Sequence, residues 1–486
     1  MTRRWLAIVV AVVFPCLLLG TVTFFGRDAK PAVVPTFAAA GVPSMPFVPH
    51  QGFITSNWFC PGVPVGGDGL GGSVTIANTG DAPLNGHVTV FTDAVGAGTV
   101  DSAFEVPARG TKDIDLAQLQ PTGTYVSAMV EIIGGGGFVE QQAQHPAGNA
   151  VSPCSNSTSS QWYFADGYTL NDSTEDIIVT NPFPDDAIVD FGFGKADSSP
   201  TSQRLLGVPV PAQSILVVDN KFLPKDETLL AVSITATRGR VVAARAQHFL
   251  GERGGYTLGL GAPAGSTDWT FADGDNPGGN YFERYSIYNP GDQDVVVLPS
   301  FYGLGDTAFT EADSITVQAH RVASLSISDI PDLPSVRHGA LFTSETGAPI
   351  VVERAITRQA SDDSFSTTVV RGVEHYFASV DSGYFRWSMA IGTDLAVDNV
   401  LVVLNLSFTE TTVAVKALGP GGEVDVPGLE AVTIAPNGIV TIAIPDEAAA
   451  LGHPLIVVGN QPIVVERLLP RGGDLRGRSG SMALPG

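Results

Sequence analysis

Charged side chains are scarce in this chain of 486 residues. Only 15% of the residues are Asp, Glu, Lys or Arg, where a typical soluble domain has about 25%. The 26 basic residues are outnumbered by 49 acidic ones, which gives a net charge of −23. A nucleic-acid-binding protein needs a basic face for its phosphate contacts, so this balance argues strongly against that class.

The common catalytic signatures are also missing. The sequence has no H-E-x-x-H, G-x-S-x-G or S-x-x-K arrangement, and its eight histidines are scattered along the chain. Residues 67–72 match G-x-G-x-x-G formally, but a strand-like segment follows them where a dinucleotide-binding fingerprint needs a helix. We therefore expect no catalytic residue and no cofactor. An enzyme whose Ser, His and Asp meet from distant positions stays open as an alternative.

The composition does not favour helices. The chain contains 55 Gly and 34 Pro, a larger share than the usual 12% or so, which favours many turns between short strands. Hydrophobic residues make up 44%, enough to bury a core. At about 150 residues per domain, the length predicts three or four domains.

One long apolar run is present, at the N-terminus. Residues 5–25 contain no charged side chain, and a helix of 21 residues is long enough to cross a hydrocarbon core of about 30 Å. Arg3 and Arg4 precede the run, so the positive-inside rule places the N-terminus in the cytoplasm and the bulk of the chain outside. We predict a signal anchor over residues 1–26 in the cell membrane. A cleaved signal peptide, which would make the protein secreted, is the alternative.

The segment after the anchor is predicted to be a tether. Residues 27–52 are rich in Pro and Ala, a composition typical of extended linkers. Two cysteines follow, Cys60 and Cys154, and in an oxidising compartment such a pair is most simply a disulfide. Free thiols or metal ligands are the alternative.

Three short markers recur in fixed order with a period near 105 residues. The first is an aromatic opening, with a weaker fourth copy at residues 375–379; the second is an Asn that ends an apolar run; the third is an apolar strand ending in Arg, replaced by Gln in the first copy. A fixed period is the signature of a tandem array, so we predict four repeats. The marker residues are Trp58, Trp162 and Trp269, then Asn78, Asn181, Asn289 and Asn405, then Arg245, Arg354 and Arg467.

The pattern within each repeat is that of β-strands. Apolar and polar residues alternate, as in His87-Val88-Thr89-Val90, which indicates half-buried strands. About seven short strands per repeat are typical of an immunoglobulin-like sandwich, whereas the blades of a β-propeller, the alternative, have about 40 to 50 residues. We predict an all-β fold of four tandem immunoglobulin-like β-sandwich domains after one N-terminal transmembrane helix. The predicted domains are 53–157, 158–265, 266–372 and 373–486.

Acidic residues follow two of the aromatic openings. Hard oxygen ligands on a loop can hold Ca²⁺, but the EF-hand spacing is absent, so we interpret these residues as solvated acidic loops and predict no metal site. The residues are Asp166, Asp172 and Asp176 in the second repeat and Asp273, Asp275 and Asn276 in the third.

The repeat markers themselves are interpreted as structural. We expect each Arg to bind a neighbouring turn or the following domain, and each Trp to lie in a core. The functional alternatives are a ligand contact by one Arg per domain and stacking of sugars on Trp162 and Trp269. Exposed tryptophans would favour sugar binding.

The W-[YT]-F-A-D-G, N-P-G and V-V-E-R markers, together with one N-terminal anchor, resemble a family of secreted or membrane-anchored actinobacterial proteins of unknown function. The resemblance covers nearly the whole chain after the anchor. It implies no activity and no catalytic residues.

The leading functional hypothesis is a non-enzymatic envelope protein outside the cytoplasm. It would be a scaffold, spacer or interaction module, held in the membrane by residues 5–25 and bound to an envelope protein or glycan. Domains of about 40 Å strung end to end would form a stalk on the order of 100 Å long, and a closed ring of repeats would contradict that stalk. Carbohydrate binding is the second hypothesis, and an enzyme with a composite site is the third.

Overall fold

The computed structural model of the protein describes ten stretches within one compact unit, Ser44–Gly486. The predicted signal anchor over residues 5–25 and most of the predicted tether lie outside them. No helix in the described stretches has the length and apolar character needed to span a bilayer. The described residues are 46–49, 52–277, 281–304, 307–359, 365–374, 384–390, 400–419, 421–444, 453–470 and 478–486.

The described residues are almost entirely β-structure. Helical turns are limited there to α1 (Leu116–Leu119) and two 3-10 turns at Gln203–Leu205 and Ile327–Asp329. The strands of the first half are β1 (Thr55–Pro64), β2 (Gly71–Asn78), β3 (Leu84–Thr92), β4 (Val100–Val106), β5 (Thr111–Asp115), β6 (Tyr125–Ile133), β7 (Gly137–Gln144), β8 (Ala150–Pro153), β9 (Gln161–Gly167), β10 (Thr174–Asn181), β11 (Ala187–Gly194), β12 (Val208–Val210), β13 (Ser214–Val218), β14 (Leu230–Arg238), β15 (Val242–Phe249) and β16 (Gly255–Leu260).

The second half continues in the same manner. Its strands are β17 (Asp268–Asp275), β18 (Tyr281–Tyr288), β19 (Val295–Leu304), β20 (Thr307–Glu311), β21 (Ile315–Val317), β22 (Val322–Ser326), β23 (Arg337–Ser344), β24 (Val351–Gln359), β25 (Phe365–Arg371), β26 (Val373–Glu374), β27 (Arg386–Met389), β28 (Val400–Asn405), β29 (Thr411–Gly419), β30 (Gly422–Asp425), β31 (Val432–Ile434), β32 (Ile439–Ala443), β33 (Leu455–Gly459), β34 (Ile463–Pro470), β35 (Arg478–Met482) and β36 (Leu484–Pro485).

Within the described residues the strands form eight sheets, which we group into four sheet pairs in chain order. In each pair, the opening sheet contains the first long strand and the closing sheet contains the last. The opening sheets have the orders β1-β6-β3-β4, β9-β14-β11-β12, β26-β17-β23-β19-β20 and β36-β27-β33-β29-β30, with β21 on β19 and β31 on β29. The closing sheets are β5-β2-β7-β8, β13-β10-β15-β16, β22-β18-β24-β25 and β32-β28-β34-β35. The same order therefore recurs in every pair.

Each sheet pair encloses an apolar core. Alternating residues of one face supply it, as in β29, where Val413, Val415 and Ala417 are buried while Ala414 and Lys416 between them are half-buried. The first core holds residues of both of its sheets, among them Val74 of β2 and Val88 of β3. Alternation with period two thus places one face of each strand in a core.

The four sheet pairs contact one another in a closed cycle. Strand β8 contacts β16, β16 contacts β25, β25 contacts β35, and β35 contacts β8. The strands meet around a cavity of about 40 Å³, lined by residues such as Val151, Leu258, Val370 and Met482. That volume holds only a few water molecules, so the strands leave little space where they meet.

The expected end-to-end stalk is therefore wrong. The last strands of the chain return to the first sheet pair, and Ala390 and Leu484 belong to its core. Even the last residues of the predicted tether are fixed there, since Val48 N donates to Pro485 O at 2.8 Å and Pro49 O accepts from Gly136 N at 3.0 Å.

Candidate functional site at the junctions between sheet pairs

The aromatic marker places a buried tryptophan at the same point of each sheet pair. Trp162 and Trp269 donate their indole N–H to the carbonyl oxygens of Val241 and Ile350, at 2.9 and 2.7 Å. Both side chains are at most 1% exposed, and Trp58 is fully buried. A buried indole offers no face on which a sugar could stack.

The fourth opening marker is Trp387. Its Nε1 donates to Ile463 O at 2.8 Å, the same bond that the second and third tryptophans make. The weaker copy proposed at residues 375–379 lies outside the described residues. The sequence carried the correct signal, because Trp387 precedes Asn405 by 18 residues, close to the spacing in the other three repeats. A strict period of about 105 residues points to residues 375–379 and away from Trp387.

The four marker asparagines make the same hydrogen bonds in every sheet pair. Each Nδ2 donates to the carbonyl four residues further on, at 2.8 Å, and each Oδ1 accepts from the backbone N–H two residues on. All four are fully buried. The asparagines thus fix the turn that carries the chain from the closing sheet to the opening sheet. They are Asn78, Asn181, Asn289 and Asn405.

The two cysteines lie in the first sheet pair. Cys60 of β1 and Cys154, just after β8, are joined by a disulfide. Both are fully buried in the core of that pair. The bond ties the first strand of the pair to its last.

The third marker joins one sheet pair to the next. Arg245 of β15 lies with Nη1 3.1 Å from Oε2 of Glu353, on β24 of the third pair. The same carboxylate oxygen accepts the backbone N–H groups of Ala165 and Asp166, at 2.8 and 2.7 Å. Arg245 and Glu353 are each 3% exposed. The Ala-Asp of the aromatic marker and the Arg of the third marker therefore bind one carboxylate of the following repeat.

The junction between the third and fourth pairs repeats this arrangement. Arg354 donates to both oxygens of Glu466, at 3.0 and 2.5 Å, and Asp273 N donates to Glu466 Oε2 at 3.2 Å. Arg354 and Glu466 are fully buried. Burial raises the pKa of Glu466, and the Arg354 guanidinium opposes that shift.

The cycle closes through a third ion pair. Arg467 of β34 lies with Nη2 3.5 Å from Oε2 of Glu140, on β7 of the first sheet pair. Both side chains are fully buried. The residues are separated by 327 positions in the chain, so the fourth sheet pair contacts the first as the second contacts the third and the third contacts the fourth.

The junction between the first and second pairs lacks both charges. Strand register places Gln141 where the other pairs have Arg, and Ala244 where they have Glu. The two substitutions fall on opposite sides of the same junction. The third marker shows the Gln directly, whereas the Ala appears only when the residue before each marker position is read along the chain as Glu, Ala, Glu, Glu.

Apolar and aromatic contacts fill that junction instead. A cluster containing Phe91, Ile178, Ala244 and Leu258 joins the two pairs, with residues of both sheet pairs in it. At its edge the His145 ring stacks on Tyr256 and lies 4.8 Å from the His248 ring. Ala244 is fully buried in this cluster, and a carboxylate at that position would face Gln141 where the other junctions have Arg.

At the junction between the second and third sheet pairs, two further arginines form ion pairs with Asp166. Its Oδ2 lies 2.8 Å from Arg253 Nη2, and its Oδ1 lies 2.5 Å from Arg284 Nη2 and accepts from Ser286 Oγ at 2.7 Å. Burial acts against the carboxylate, but Arg253 and Arg284 hold the pKa of Asp166 below its usual range. The interpretation of Asp166 as part of a solvated loop is therefore wrong, because it is fully buried.

Asp273, the counterpart of Asp166, is also fully buried and pairs with Arg337. Asp172 is exposed, whereas Asp176 accepts the Tyr125 hydroxyl at 2.8 Å across the first junction. Across the described stretches, no three His, Cys, Asp or Glu side chains are grouped so that they could hold a metal ion.

The glycine that ends the aromatic marker is required by close packing. A Cβ at Gly167 would lie 2.5 Å from Oε2 of Glu175, and a Cβ at Gly274 would lie 2.5 Å from Nε2 of His338. Both neighbours are fully buried. The Ala and Asp of the A-D-G sequence thus bind across the junction, and its Gly leaves room for the neighbouring side chain.

The family comparison agrees with the unknown function expected from the resemblance. DUF5719, described as a family of unknown function, matches residues 138–376. The match begins in β7 and ends just after β26. No curated protein matches the chain.

Three solved structures align with parts of the chain. The crystal structure of Thermotoga maritima 1070 is 16% identical over 23% of this chain and 96% of its own, with a TM-score of 0.21. The Anabaena sensory rhodopsin transducer is 29% identical over 18% and 87%, with a TM-score of 0.17. A tetra-tandem repeat from the extending region of a large adhesion protein is 12% identical over 84% and 93%, with a TM-score of 0.12. At these TM-scores none of the three supports an assignment.

Proposed function

We propose that this chain is a non-enzymatic envelope protein, anchored by residues 5–25, that works outside the cytoplasm as a scaffold or protein-interaction module. Its sheet pairs would be four copies of one immunoglobulin-like sandwich, arranged as a compact ring. The recurring strand order supports the copies, and the apolar N-terminal run supports the anchor. The disulfide Cys60–Cys154 supports an oxidising compartment.

The observation that carries the scaffold role is the set of buried ion pairs between sheet pairs. Domains joined only by flexible linkers move relative to one another. Here Arg245–Glu353, Arg354–Glu466 and Arg467–Glu140 join one sheet pair to another. A buried charge that loses its partner is strongly unfavourable, so each ion pair resists separation of the two sheet pairs that it joins. The result is a rigid body that holds loops of all four units in fixed relative positions.

The test is photo-cross-linking of the full chain in the cells that make it. One exposed residue in each sheet pair is replaced by the photoreactive amino acid p-benzoylphenylalanine, and buried Phe164 serves as the matched control. We expect a discrete protein adduct at one or more exposed positions and none at Phe164. Absence of an adduct at all four exposed positions would contradict an interaction module. The positions are Val95, Phe222, Phe309 and Phe408.

A further inference from the structure

A cavity of about 490 Å³ lies between the second and third sheet pairs, beside the Asp166 cluster. Its size falls within the range of small-molecule sites, roughly 300 to 1,000 Å³. The second pair contributes Tyr168 and Arg253, and the third contributes Tyr281, Ser328 and Phe365. The cavity is therefore formed only when these two pairs are in contact.

Arg253 lines this cavity with a side chain that is held in place. Its side chain is held by Asp166 at 2.8 Å and lies over the rings of Phe249 and Tyr168, at 4.3 and 5.0 Å. Arg253 is only 8% exposed, and its Nη1 has no acceptor among the described residues. A buried donor without an acceptor is unfavourable, and native structures hold few of them.

Tyr281 of the third sheet pair supplies a second such group. Its hydroxyl is buried and has no hydrogen-bond partner within the described stretches. The Arg358 guanidinium lies 4.8 Å from the centre of its ring, a cation–π contact that stabilises the ring's position. The cavity is thus lined from both sheet pairs by a residue with an unpaired polar atom.

The charges around the cavity disfavour an anionic ligand. Arg253 and Arg284 are opposed by the carboxylates of Glu252, Asp275 and Glu283 in the same lining, and both arginines already pair with Asp166. The lining also includes four aromatic rings, of Tyr168, Tyr281, Phe282 and Phe365. A neutral ligand with many hydroxyl groups and one apolar face fits such a mixture of donors, acceptors and flat apolar surfaces.

We propose that this cavity binds a neutral mono- or disaccharide. Arg253 Nη1 and the Tyr281 hydroxyl bind sugar hydroxyl groups, carboxylates of the lining accept others, and the C–H face of the ring packs on an aromatic side chain. This site goes beyond the scaffold role and does not depend on it, since the chain could bind a protein partner and no sugar, or the reverse.

Saturation-transfer-difference NMR tests the proposal on the full chain in lauryldimethylamine oxide, a detergent without a sugar headgroup. The probes are common neutral hexoses and pentoses, N-acetylglucosamine and neutral disaccharides, with a lysine-containing dipeptide and acetate, whose methyl protons are observable, as charged comparators. We expect transfer to at least one neutral sugar and to neither comparator.

Two variants, each with a control, test whether the sugar binds in the cavity. Ser328→Trp fills it and should abolish the transfer, whereas Ser324→Trp, on an exposed serine of β22 outside the lining, should leave it unchanged. Tyr281→Phe removes one hydrogen bond and should weaken the affinity about fivefold. Tyr302→Phe, away from the cavity, is its control.

Three results would overturn the proposal. The first is no transfer to any neutral sugar, and the second is transfer to a charged comparator alone. The third is sugar transfer that survives both Ser328→Trp and Tyr281→Phe, which would place the binding elsewhere. Far-ultraviolet circular dichroism of each variant shows that a lost signal does not come from unfolding.

Discussion

Arg354 and Glu466 are separated by 112 residues in the chain, yet both carboxylate oxygens of Glu466 accept hydrogen bonds from the Arg354 guanidinium. Neither side chain is exposed. Such a pair adds little net stability over a well-packed apolar contact, but removing one partner strands a buried charge. We infer that it specifies which surfaces meet. The first junction, with Gln141 and Ala244, shows the same position with both charges removed.

A double-mutant cycle on this pair should show strong coupling. Arg354→Gln leaves the Glu466 carboxylate buried without its cation and should cost about 3–5 kcal/mol of unfolding free energy. Arg354→Gln with Glu466→Ala copies the first junction and should cost less than the sum of the two single changes, by about 2 kcal/mol or more. Urea unfolding of the full chain at pH 7 measures all four proteins.

The half-buried pair Arg386–Glu423 provides the matched control. Its cycle, with Arg386→Gln and Glu423→Ala, should give a coupling below about 1 kcal/mol because solvent screens the charges. Equal coupling in the two cycles would mean that burial of Arg354 and Glu466 does not specify the junction.

The sequence was sufficient for the class of fold and for much of the local structure. Alternating apolar residues predicted strands, and the recurring Asn predicted turns, because both depend on interactions within a few residues. It did not predict the closed cycle. The period of a tandem array is the same for a stalk and for a ring, since the difference lies in contacts between repeats.

The junction residues show why those contacts were missed. Glu353 binds the backbone of Ala165 and Asp166, almost 190 residues away, and nothing near Glu353 in the chain indicates that partner. The one available signal was the joint change at Gln141 and Ala244. It becomes visible only when each Arg position is compared with the Glu position of the following repeat.

The closed cycle predicts a compact particle in solution. A compact chain of this length has a radius of gyration of about 23 Å, whereas four sandwiches strung end to end would exceed about 40 Å. Small-angle neutron scattering of the full chain, in detergent matched to the solvent contrast, distinguishes the two. A value near that of the stalk would contradict the contacts of β35 with β8.

Glu175 should make the protein less stable as the pH rises. Burial raises the pKa of this carboxyl from 4.5 to about 7, against the attraction of Arg245. The folded chain therefore holds a proton that the unfolded chain releases, and stability falls between about pH 4.5 and 7. Glu175→Gln removes this dependence, so its stability relative to the unchanged protein should rise by up to about 3 kcal/mol from pH 4.5 to 8.

The comparison uses urea unfolding across that pH range, with exposed Glu430→Gln as the control for loss of a carboxylate. A difference between Glu175→Gln and the unchanged protein that does not vary with pH would show that Glu175 is ionised in the fold.

His145, at the first junction, should make the protein less stable as the pH falls. Burial, and then the nearby His248, lower the pKa of His145 to about 4. The fold favours the neutral ring, so its contribution is complete above about pH 6.5 and is lost as the pH falls towards 4. After discounting for its partial exposure, the effect is roughly 1 kcal/mol.

His145→Phe keeps a ring to stack on Tyr256 and removes the titration. The unfolding free energy of this variant should depend less on pH between 4 and 6.5 than that of the unchanged protein. The exposed His87→Phe is the matched control. If both variants keep the slope of the unchanged protein, the histidine at the junction does not govern it.

The disulfide Cys60–Cys154 should stabilise two junctions as well as one core. It closes a loop with a sequence separation of 94 residues in the first sheet pair, and removing such a bond costs about 2–5 kcal/mol. That pair contacts the second through the cluster of Ile178 and Leu258 and the fourth through Arg467–Glu140. Reduction should therefore increase hydrogen exchange in β16 and β34 as well as in β1. Faster exchange confined to the first pair would show that its neighbours do not depend on it, and the ring would then lack the mechanical coupling that a rigid scaffold needs.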